Sequence, residues 1–178
     1  MLVITRAIVY AIVFVAVVLV ILPVSVLSWS DVTLPDAMGW QQVAGIAVCA
    51  VGVLIATACV IAFAWIGKGT PAPFDPPRRL VVRGPYAYVR NPMYIGGAVS
   101  VAGAALYYQS PGLLLFVVAF LVAAHLFIVF YEEPTLRRMF AEQYETYCRR
   151  VHRWVPSGAA VAHLRPHAGK TPGATGRG

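Results

Sequence analysis

Long uncharged stretches separated by short polar segments dominate the chain. No charged residue lies between Arg6 and Asp31 or between Asp36 and Lys68. Because about 20 apolar helical residues cross the hydrocarbon core of a bilayer, each stretch predicts one membrane span. The two predicted spans lie near 7–27 and 43–66. A cleaved signal peptide is the alternative for the first of them, although its apolar region exceeds the usual length of about 7 to 15 residues.

A third uncharged stretch, from Asn91 to Tyr131, is about 41 residues long and corresponds to roughly 60 Å of helix. This length is about twice what one crossing needs. The sequence YYQSPG interrupts it at 107–112, where Ser-Pro-Gly favours a turn. The pattern therefore predicts a hairpin of two further spans, and an all-α membrane protein with four transmembrane helices in total.

Polar segments flank this hairpin on both sides. Before it, residues 67–90 contain too many Pro and Gly for a helix and predict a loop, whereas Asn91 and Pro92 are typical of a helix cap and a first helical residue. After it, apolar residues recur at three- or four-residue steps from a predicted helix start at Pro134, which indicates a C-terminal amphipathic helix. Residues 157–178 show no such periodicity and predict a disordered tail.

Charge is rare and unevenly placed. The chain is 60% hydrophobic and only 12% charged, against roughly 25% charged residues in an average soluble domain. All 14 Lys and Arg residues lie in the N-terminal stub, in the 67–90 loop or after Tyr131. Under the positive-inside rule both termini and this loop are cytosolic, and we expect an integral protein of a bacterial inner membrane. The net charge of +7 then lies beside anionic headgroups, so membrane lipids rather than nucleic acid are the expected partners.

The three cysteines have no metal-ligand spacing. Cys49 and Cys59 lie in the second predicted span and Cys148 lies in the amphipathic helix, where they are expected to pack as apolar residues. The sequence predicts no metal site.

Two polar clusters are the candidates for a functional site: Arg83–Tyr94 before the hairpin and Glu132-Glu133 after it. Because the hairpin returns the chain to the same membrane face, the two clusters are expected to be neighbours. The helix that starts at Pro92 presents free N–H groups and a positive dipole end, which favour an anion, and Arg90 adds charge. The glutamates offer acceptors for hydroxyl groups, an amine or a cationic centre. A zwitterionic polar ligand would fit, with an apolar acceptor arriving from the bilayer.

Structural roles are the alternatives for the same residues. Asn91 suits a simple helix cap, and the two glutamates suit the solvated end of a span. Gly96 and Gly97 suit helix packing as well as ligand contact. His125 lies in a predicted span, seven residues before Glu132 and on nearly the same helical face. It is expected to face the helix bundle and to form a buried hydrogen bond.

Two motifs carry a resemblance to a known family. The sequence RGPYAYVRNPMYIG, an apolar hairpin and then EEPTLRRMFAEQYETYCRRVHRWVP resemble the isoprenylcysteine carboxyl methyltransferase and phospholipid methyltransferase superfamily of integral-membrane enzymes, over Gly67–Pro156. The resemblance implies S-adenosylmethionine as cofactor, bound at the cytosolic ends of the last spans and covered by the C-terminal helix. Carried over motif by motif, the implied cofactor contacts are Leu80, Val81, Tyr86, Asn91, Pro92, Met93, Tyr94 and Glu132.

The implied reaction is methyl transfer to a lipophilic acceptor. Prenylcysteine-like carboxylates, phospholipid amines and small hydrophobic thiols or acids all stay open as acceptors, because this chain has Arg90-Asn91-Pro92 where the prenylcysteine enzymes have Arg-His-Pro. Glu133 is the candidate base for an acceptor that must lose a proton, and Arg90 is the second catalytic candidate. A non-catalytic four-span scaffold or lipid-binding protein and a membrane lipid reductase are the alternative functions. The predicted parts of the chain are an N-terminal transmembrane hairpin at 1–66, a methyltransferase core at 67–156 and the tail at 157–178.

Overall fold

The computed structural model describes residues 15–30, 35, 37–67 and 80–157, and in these ranges it consists of helices and connecting turns without a strand. This confirms the predicted all-α class. The helices are α1 (Leu22–Trp29), α2 (Trp40–Ala62), α3 (Pro92–Tyr108), α4 (Pro111–Phe127) and α5 (Glu133–Arg150). Short π-helical segments lie at Val15–Ile21, Phe63–Gly67 and Ile128–Glu132, and a 3-10 turn lies at Gly84–Ala87.

Two helices are long and apolar enough to cross a membrane: α2 and the continuous helix that starts at Pro111. Only 17% of the apolar window of each is buried. Large apolar side chains such as Leu54, Leu115 and Phe130 are therefore exposed, as solvation by lipid requires. We take the uncharged part of the long helix, residues 111–131, as its membrane span.

Four spans remain a prediction. The apolar helix at Ala16–Trp29 is shorter, and α3 has 17 residues, slightly fewer than the roughly 20 of a typical crossing. The first predicted span begins in residues 1–14 and the predicted loop includes 68–79, both of which lie outside the described residues.

Glycines bring α2 and α3 into backbone contact. A Cβ atom added to Gly96 would lie 2.9 Å from the Gly52 carbonyl oxygen and 2.9 Å from the Ala56 nitrogen. Gly45 and Gly103 form a second contact of this kind, about two turns further along the helices. Gly97 instead faces Leu19 and Phe120. Both Gly96 and Gly97 are thus buried between helices, which agrees with the helix-packing role given as one alternative for them.

The predicted hairpin between α3 and α4 is confirmed. Gln109 directly follows α3 and has a left-handed backbone with φ 51°, which ends the helix. The Ser110 hydroxyl then accepts a hydrogen bond from the Leu113 N–H at 3.3 Å and caps α4, whose first residue is Pro111. The turn therefore lies within the YYQSPG sequence.

The predicted helix start at Pro134 is wrong, because the helix continues unbroken from α4 into α5. Pro134 has no N–H, and its ring would collide with the carbonyl four residues earlier in an ordinary α-helix. The π-helical turn at Ile128–Glu132 relieves this conflict, with the Glu133 N–H bonded to the Ile128 carbonyl. The real interruption is at Ala141, where the backbone has φ 42° and ψ −119°.

The amphipathic character of α5 is confirmed, and its apolar face packs on the protein. Tyr144, Tyr147 and Val151 are almost fully buried. They form one cluster with half-buried side chains of the chain before α3 and of α5: Leu80, Val82, Leu136, Phe140 and Cys148. The chain before α3 is therefore enclosed between α2 on one side and α5 on the other.

Candidate functional site

The two polar clusters meet at one end of the α3–α4 hairpin, as the sequence predicts. The Tyr94 hydroxyl, on the first turn of α3, donates a hydrogen bond to the Glu132 Oε2 atom at 3.2 Å. These residues are 38 positions apart in sequence, and the hairpin turn alone brings them together.

Glu132 is a carboxylate with spare hydrogen-bonding capacity. Burial raises its pKa, the hydrogen bond from Tyr94 lowers it in part, and the charge of Glu133 raises it further. Among the described residues only Tyr94 donates to this carboxylate. A carboxylate accepts up to about four hydrogen bonds, so Glu132 can receive donors from a ligand.

Glu133 differs sharply from its neighbour. Its carboxylate oxygens lie 3.2 Å from Arg90 Nη1, 2.7 Å and 3.0 Å from two nitrogens of Arg153, and 3.8 Å from Arg137 Nη2. Burial alone would raise its pKa, but the hydrogen bonds from Arg153 and the charge of Arg90 outweigh burial and lower the pKa. A carboxylate held by three guanidinium groups is a weak base, so the geometry favours a positioning role for Glu133.

Arg90 links the chain before α3 to α5 and to the segment that follows α5. Its Nη1 atom donates to Glu133 and to the Cys148 Sγ atom at 2.9 Å, and its backbone N–H donates to the His152 carbonyl at 2.9 Å. Its Nε atom is buried and has no hydrogen-bond partner among the described residues. Arg90 is thus mostly committed to protein contacts.

Asn91 occupies the cap position of α3, but its side chain does not cap the helix. The amide nitrogen instead donates to the Arg153 carbonyl at 3.2 Å. The first backbone hydrogen bond of α3 is from Ile95 to Asn91, so the N–H groups of Met93 and Tyr94 have no acceptor in the described structure. These free N–H groups are what an anion site at the helix start would need, and anion binding there stays a prediction.

The other predicted contact residues surround this end of α3. Tyr86 is buried, its ring packs edge-on against Phe63 at 5.2 Å, and its carbonyl accepts a hydrogen bond from the Tyr147 hydroxyl at 2.7 Å. Burial, with the nearby charge of Glu132, raises the pKa of Tyr86, which keeps its hydroxyl protonated. Pro92 is fully buried.

Leu80 and Val81 have side chains in two different apolar clusters. The Val81 side chain is buried against Cys59, Ala62 and Tyr86, with Met93 beside it. Leu80 packs in the cluster formed by α5. Any contact of Val81 with a polar ligand is therefore through its backbone.

Sequence reasoning missed the segment that follows α5, residues 151–157. Arg153 and His152 of this segment form the contacts described above. In addition, the Ser157 N–H donates to the Tyr88 carbonyl at 2.7 Å, and the Ser157 hydroxyl accepts from the His152 N–H at 3.0 Å. Ser157 is buried, so it belongs to the folded part and not to the predicted tail; residues 158–178 lie outside the described residues. The only sequence signal was the VHRWVP end of the second motif.

His125 forms a hydrogen bond, as predicted, but does not face the bundle. Its side chain is exposed, and its Nδ1 atom accepts from the Trp154 indole N–H at 3.1 Å. The prediction about its direction was wrong because helical spacing could not reveal a partner in the 151–157 segment. Neither His125 nor any other His, Cys, Asp or Glu of the described residues belongs to a group that could hold a metal ion.

Comparison with known proteins places the chain in a family. No curated protein and no solved structure matches it. The sequence model of the phospholipid methyltransferase family matches residues 40–143. The match begins with α2 and includes both polar clusters, so it extends into the part that sequence reasoning assigned to a separate N-terminal hairpin. The chain therefore belongs to the phospholipid methyltransferase family, within the isoprenylcysteine and phospholipid methyltransferase superfamily of membrane methyltransferases.

Proposed function

We propose that the chain is an S-adenosylmethionine-dependent methyltransferase that methylates a lipophilic acceptor at the membrane surface. One observation carries the proposal. At the junction of the two polar clusters, Glu132 accepts from one donor among the described residues, Tyr94, and lies beside the uncapped start of α3, whereas three arginines form ion pairs with the adjacent Glu133.

The residues at this junction fit the chemical groups of the cofactor. S-adenosylmethionine has a carboxylate, an ammonium group, ribose hydroxyls and a sulfonium. The free N–H groups of Met93 and Tyr94 suit the carboxylate. The spare acceptor positions of Glu132 suit the ribose hydroxyls or the ammonium group. Tyr86 and Pro92 would form apolar walls.

The chain's contribution to catalysis would be positioning and exclusion of water. The bound cofactor supplies an electrophilic methyl group on a sulfonium. In-line alignment of two reactants lowers a barrier by several kcal/mol, up to about 7 to 11 in well-oriented systems. Arg90 and Glu133 would act as positioning residues, because their ion pair fixes the start of α5 to the chain before α3.

The acceptor decides whether a base is needed. A carboxylate acceptor needs none, whereas an amine must lose its proton first. For an amine, Glu132 is a better proton acceptor than the predicted Glu133, because burial raises the pKa of Glu132 and arginines lower that of Glu133. The family favours a lipid acceptor, and prenylcysteine-like carboxylates, phospholipid amines and small hydrophobic molecules remain the candidate classes.

The location of the site completes the proposal. The Lys and Arg residues concentrate in the N-terminal stub, the 67–90 loop and the part after Tyr131, which supports a cytosolic site and cytosolic termini in a bacterial inner membrane. There a water-soluble cofactor and a bilayer-borne acceptor can reach the same residues.

A methyl-transfer assay tests the proposal. Purified protein in vesicles of its native lipids would be incubated with methyl-labelled S-adenosylmethionine, and the lipids then extracted. We expect label in one lipid class, and much less label with Glu132→Gln. A folded protein that binds no S-adenosylmethionine would contradict the proposal and favour a non-catalytic scaffold. Binding of a nicotinamide nucleotide instead would favour a lipid reductase.

A further inference from the structure

We propose that His125, held by Trp154, donates a hydrogen bond to an ester carbonyl oxygen of the lipid acceptor. The pair would form a subsite for the glycerol-ester region, deeper in the bilayer than the methyl-transfer site. This inference rests on the proposed function, because it concerns the lipid that the same site would methylate.

His125 is a polar side chain on an otherwise apolar, exposed surface. Val122, one turn earlier on the same face of the helix, is 54% exposed, and His125 itself is exposed. A polar group on a lipid-facing span is costly unless it has partners. Trp154 supplies one partner at 3.1 Å, and the ring has a second nitrogen that still needs one.

The chemistry of the pair defines what that second partner must be. An indole N–H can only donate, so the His125 Nδ1 atom is the acceptor in this bond. The neutral imidazole therefore carries its proton on Nε2. No other described residue forms a hydrogen bond with His125. The ring consequently offers one N–H donor to the bilayer, and an oxygen acceptor of a lipid is the group that matches it.

The depth of His125 in the membrane corresponds to the ester region of a lipid whose headgroup lies at Glu132. Seven residues separate it from Glu132, which is about two helical turns or roughly 10 Å along the helix. In a glycerophospholipid the ester carbonyls lie on the tail side of the headgroup. A headgroup at Glu132 would thus bring an ester carbonyl to the level of His125.

Trp154 is fixed to the cofactor site by its neighbours in sequence. Arg153 binds Glu133 through two nitrogens, and its carbonyl accepts from Asn91 at the start of α3. The orientation of the His125 ring is therefore tied to the residues around Glu132. A lipid bound at His125 would be aligned with the methyl-transfer site.

A lipid-competition experiment tests the subsite without measuring activity. Full-length protein in detergent would be offered equal amounts of diacyl phosphatidylethanolamine and its dialkyl ether analogue, which lacks the ester carbonyls. Native mass spectrometry would give the ratio of the two bound lipids. One hydrogen bond predicts a preference of about 2- to 13-fold for the diacyl lipid in the unaltered protein.

Three variants make the result specific. His125→Leu should abolish the preference, His125→Gln should keep part of it because the amide retains a donor, and Trp154→Phe should reduce it because the ring loses its anchor. Equal binding of both lipids by the unaltered protein would overturn the inference, as would an unchanged preference in both His125→Leu and Trp154→Phe. If His125→Leu does not fold, the Trp154→Phe variant tests the inference alone: a reduced preference for the diacyl lipid supports it, and an unchanged preference overturns it.

Titration with S-adenosylmethionine separates this inference from the proposed function. All three variants should bind the cofactor as the unaltered protein does, because none of the changes touches Glu132. Failure of the unaltered protein to bind it would refute the proposed function, while the lipid preference would still report on His125.

Discussion

Glu132 and Glu133 are adjacent in sequence and yet have opposite environments. Burial raises the pKa of Glu132, whereas Arg153 and Arg90 lower that of Glu133 despite burial. Their side chains leave the helix about 100° apart, so one reaches Tyr94 and the other reaches the arginines. Among the described residues, Glu132 accepts from Tyr94 alone, whereas Glu133 forms ion pairs with three arginines.

Glu133→Gln should destabilise the protein. Removing one partner of a buried ion pair typically costs about 3 to 5 kcal/mol, because the remaining charge is left unpaired. A folded-state pKa below the unfolded value, about 4.3 for Glu, means that this stabilisation is fully present above that pH. It is lost as the pH falls through the lower, folded-state pKa.

Thermal unfolding in detergent across a pH series would measure this effect. The difference between the unaltered protein and Glu133→Gln should be largest near neutral pH and should shrink below about pH 4. Glu142→Gln is the control, because Glu142 is exposed and forms no ion pair among the described residues. A difference that stays constant with pH would mean that the ion pairs of Glu133 do not stabilise the fold.

Hydropathy and turn residues act locally, and the parts of the site that depend on them were predictable. Residue type predicts that Asn91 occupies the cap position of α3 and that Pro92 is its first helical residue. The hairpin predicts that the two polar clusters share one end. The different environments of Glu132 and Glu133 were not predictable, since they depend on Arg153, which lies 20 residues from Glu133 in sequence. No local pattern pairs residues at that separation.

Among the helices, α2 and α3 depend most on small residues. A Cβ atom at Gly52 would lie 2.6 Å from the Gly96 carbonyl oxygen, a distance that the two backbones can relieve only by moving apart. Gly52→Ala should therefore lower stability by roughly 1 to 3 kcal/mol, the usual cost of overpacking. Ala50→Val, on the exposed side of α2, is the matched control and should change little. Equal thermal midpoints for both variants would contradict the packing of these helices.

The course of α4 and α5 shows where element prediction failed. Pro134 is a strong signal for a helix start, but a π-helical turn accommodates it within a continuous helix. The interruption at Ala141 carries no such signal, because Ala is the strongest helix former. Beyond that bend, Tyr144 and Tyr147 pack against the chain before α3.

For the molecule as a whole, the distribution of charge predicts the orientation in the membrane. With four spans and all Lys and Arg on one side, reporter fusions at Asp36 and Ser110 should both be extracytoplasmic. A fusion after Ser157 serves as the control and should be cytoplasmic. A cytoplasmic signal at Asp36 or at Ser110 would contradict the predicted topology.

The central claim is that Glu132 belongs to a site for S-adenosylmethionine, and calorimetric titration of the detergent-solubilised protein tests it most directly. A lost hydrogen bond to a charged ligand group costs about 1.5 to 3 kcal/mol. Glu132→Gln should therefore bind S-adenosylmethionine and its demethylated product about 10- to 150-fold more weakly, whereas Glu142→Gln should bind as the unaltered protein does.

The pH dependence of the same titration adds a second criterion. Because the pKa of Glu132 is raised, acidification should weaken binding to the unaltered protein while the pH is still above about 4.3, the usual value for Glu. Glu132→Gln should lack this dependence. Tight, pH-independent binding that is the same in the unaltered protein and in a folded Glu132→Gln variant would remove Glu132 from the site and contradict the account.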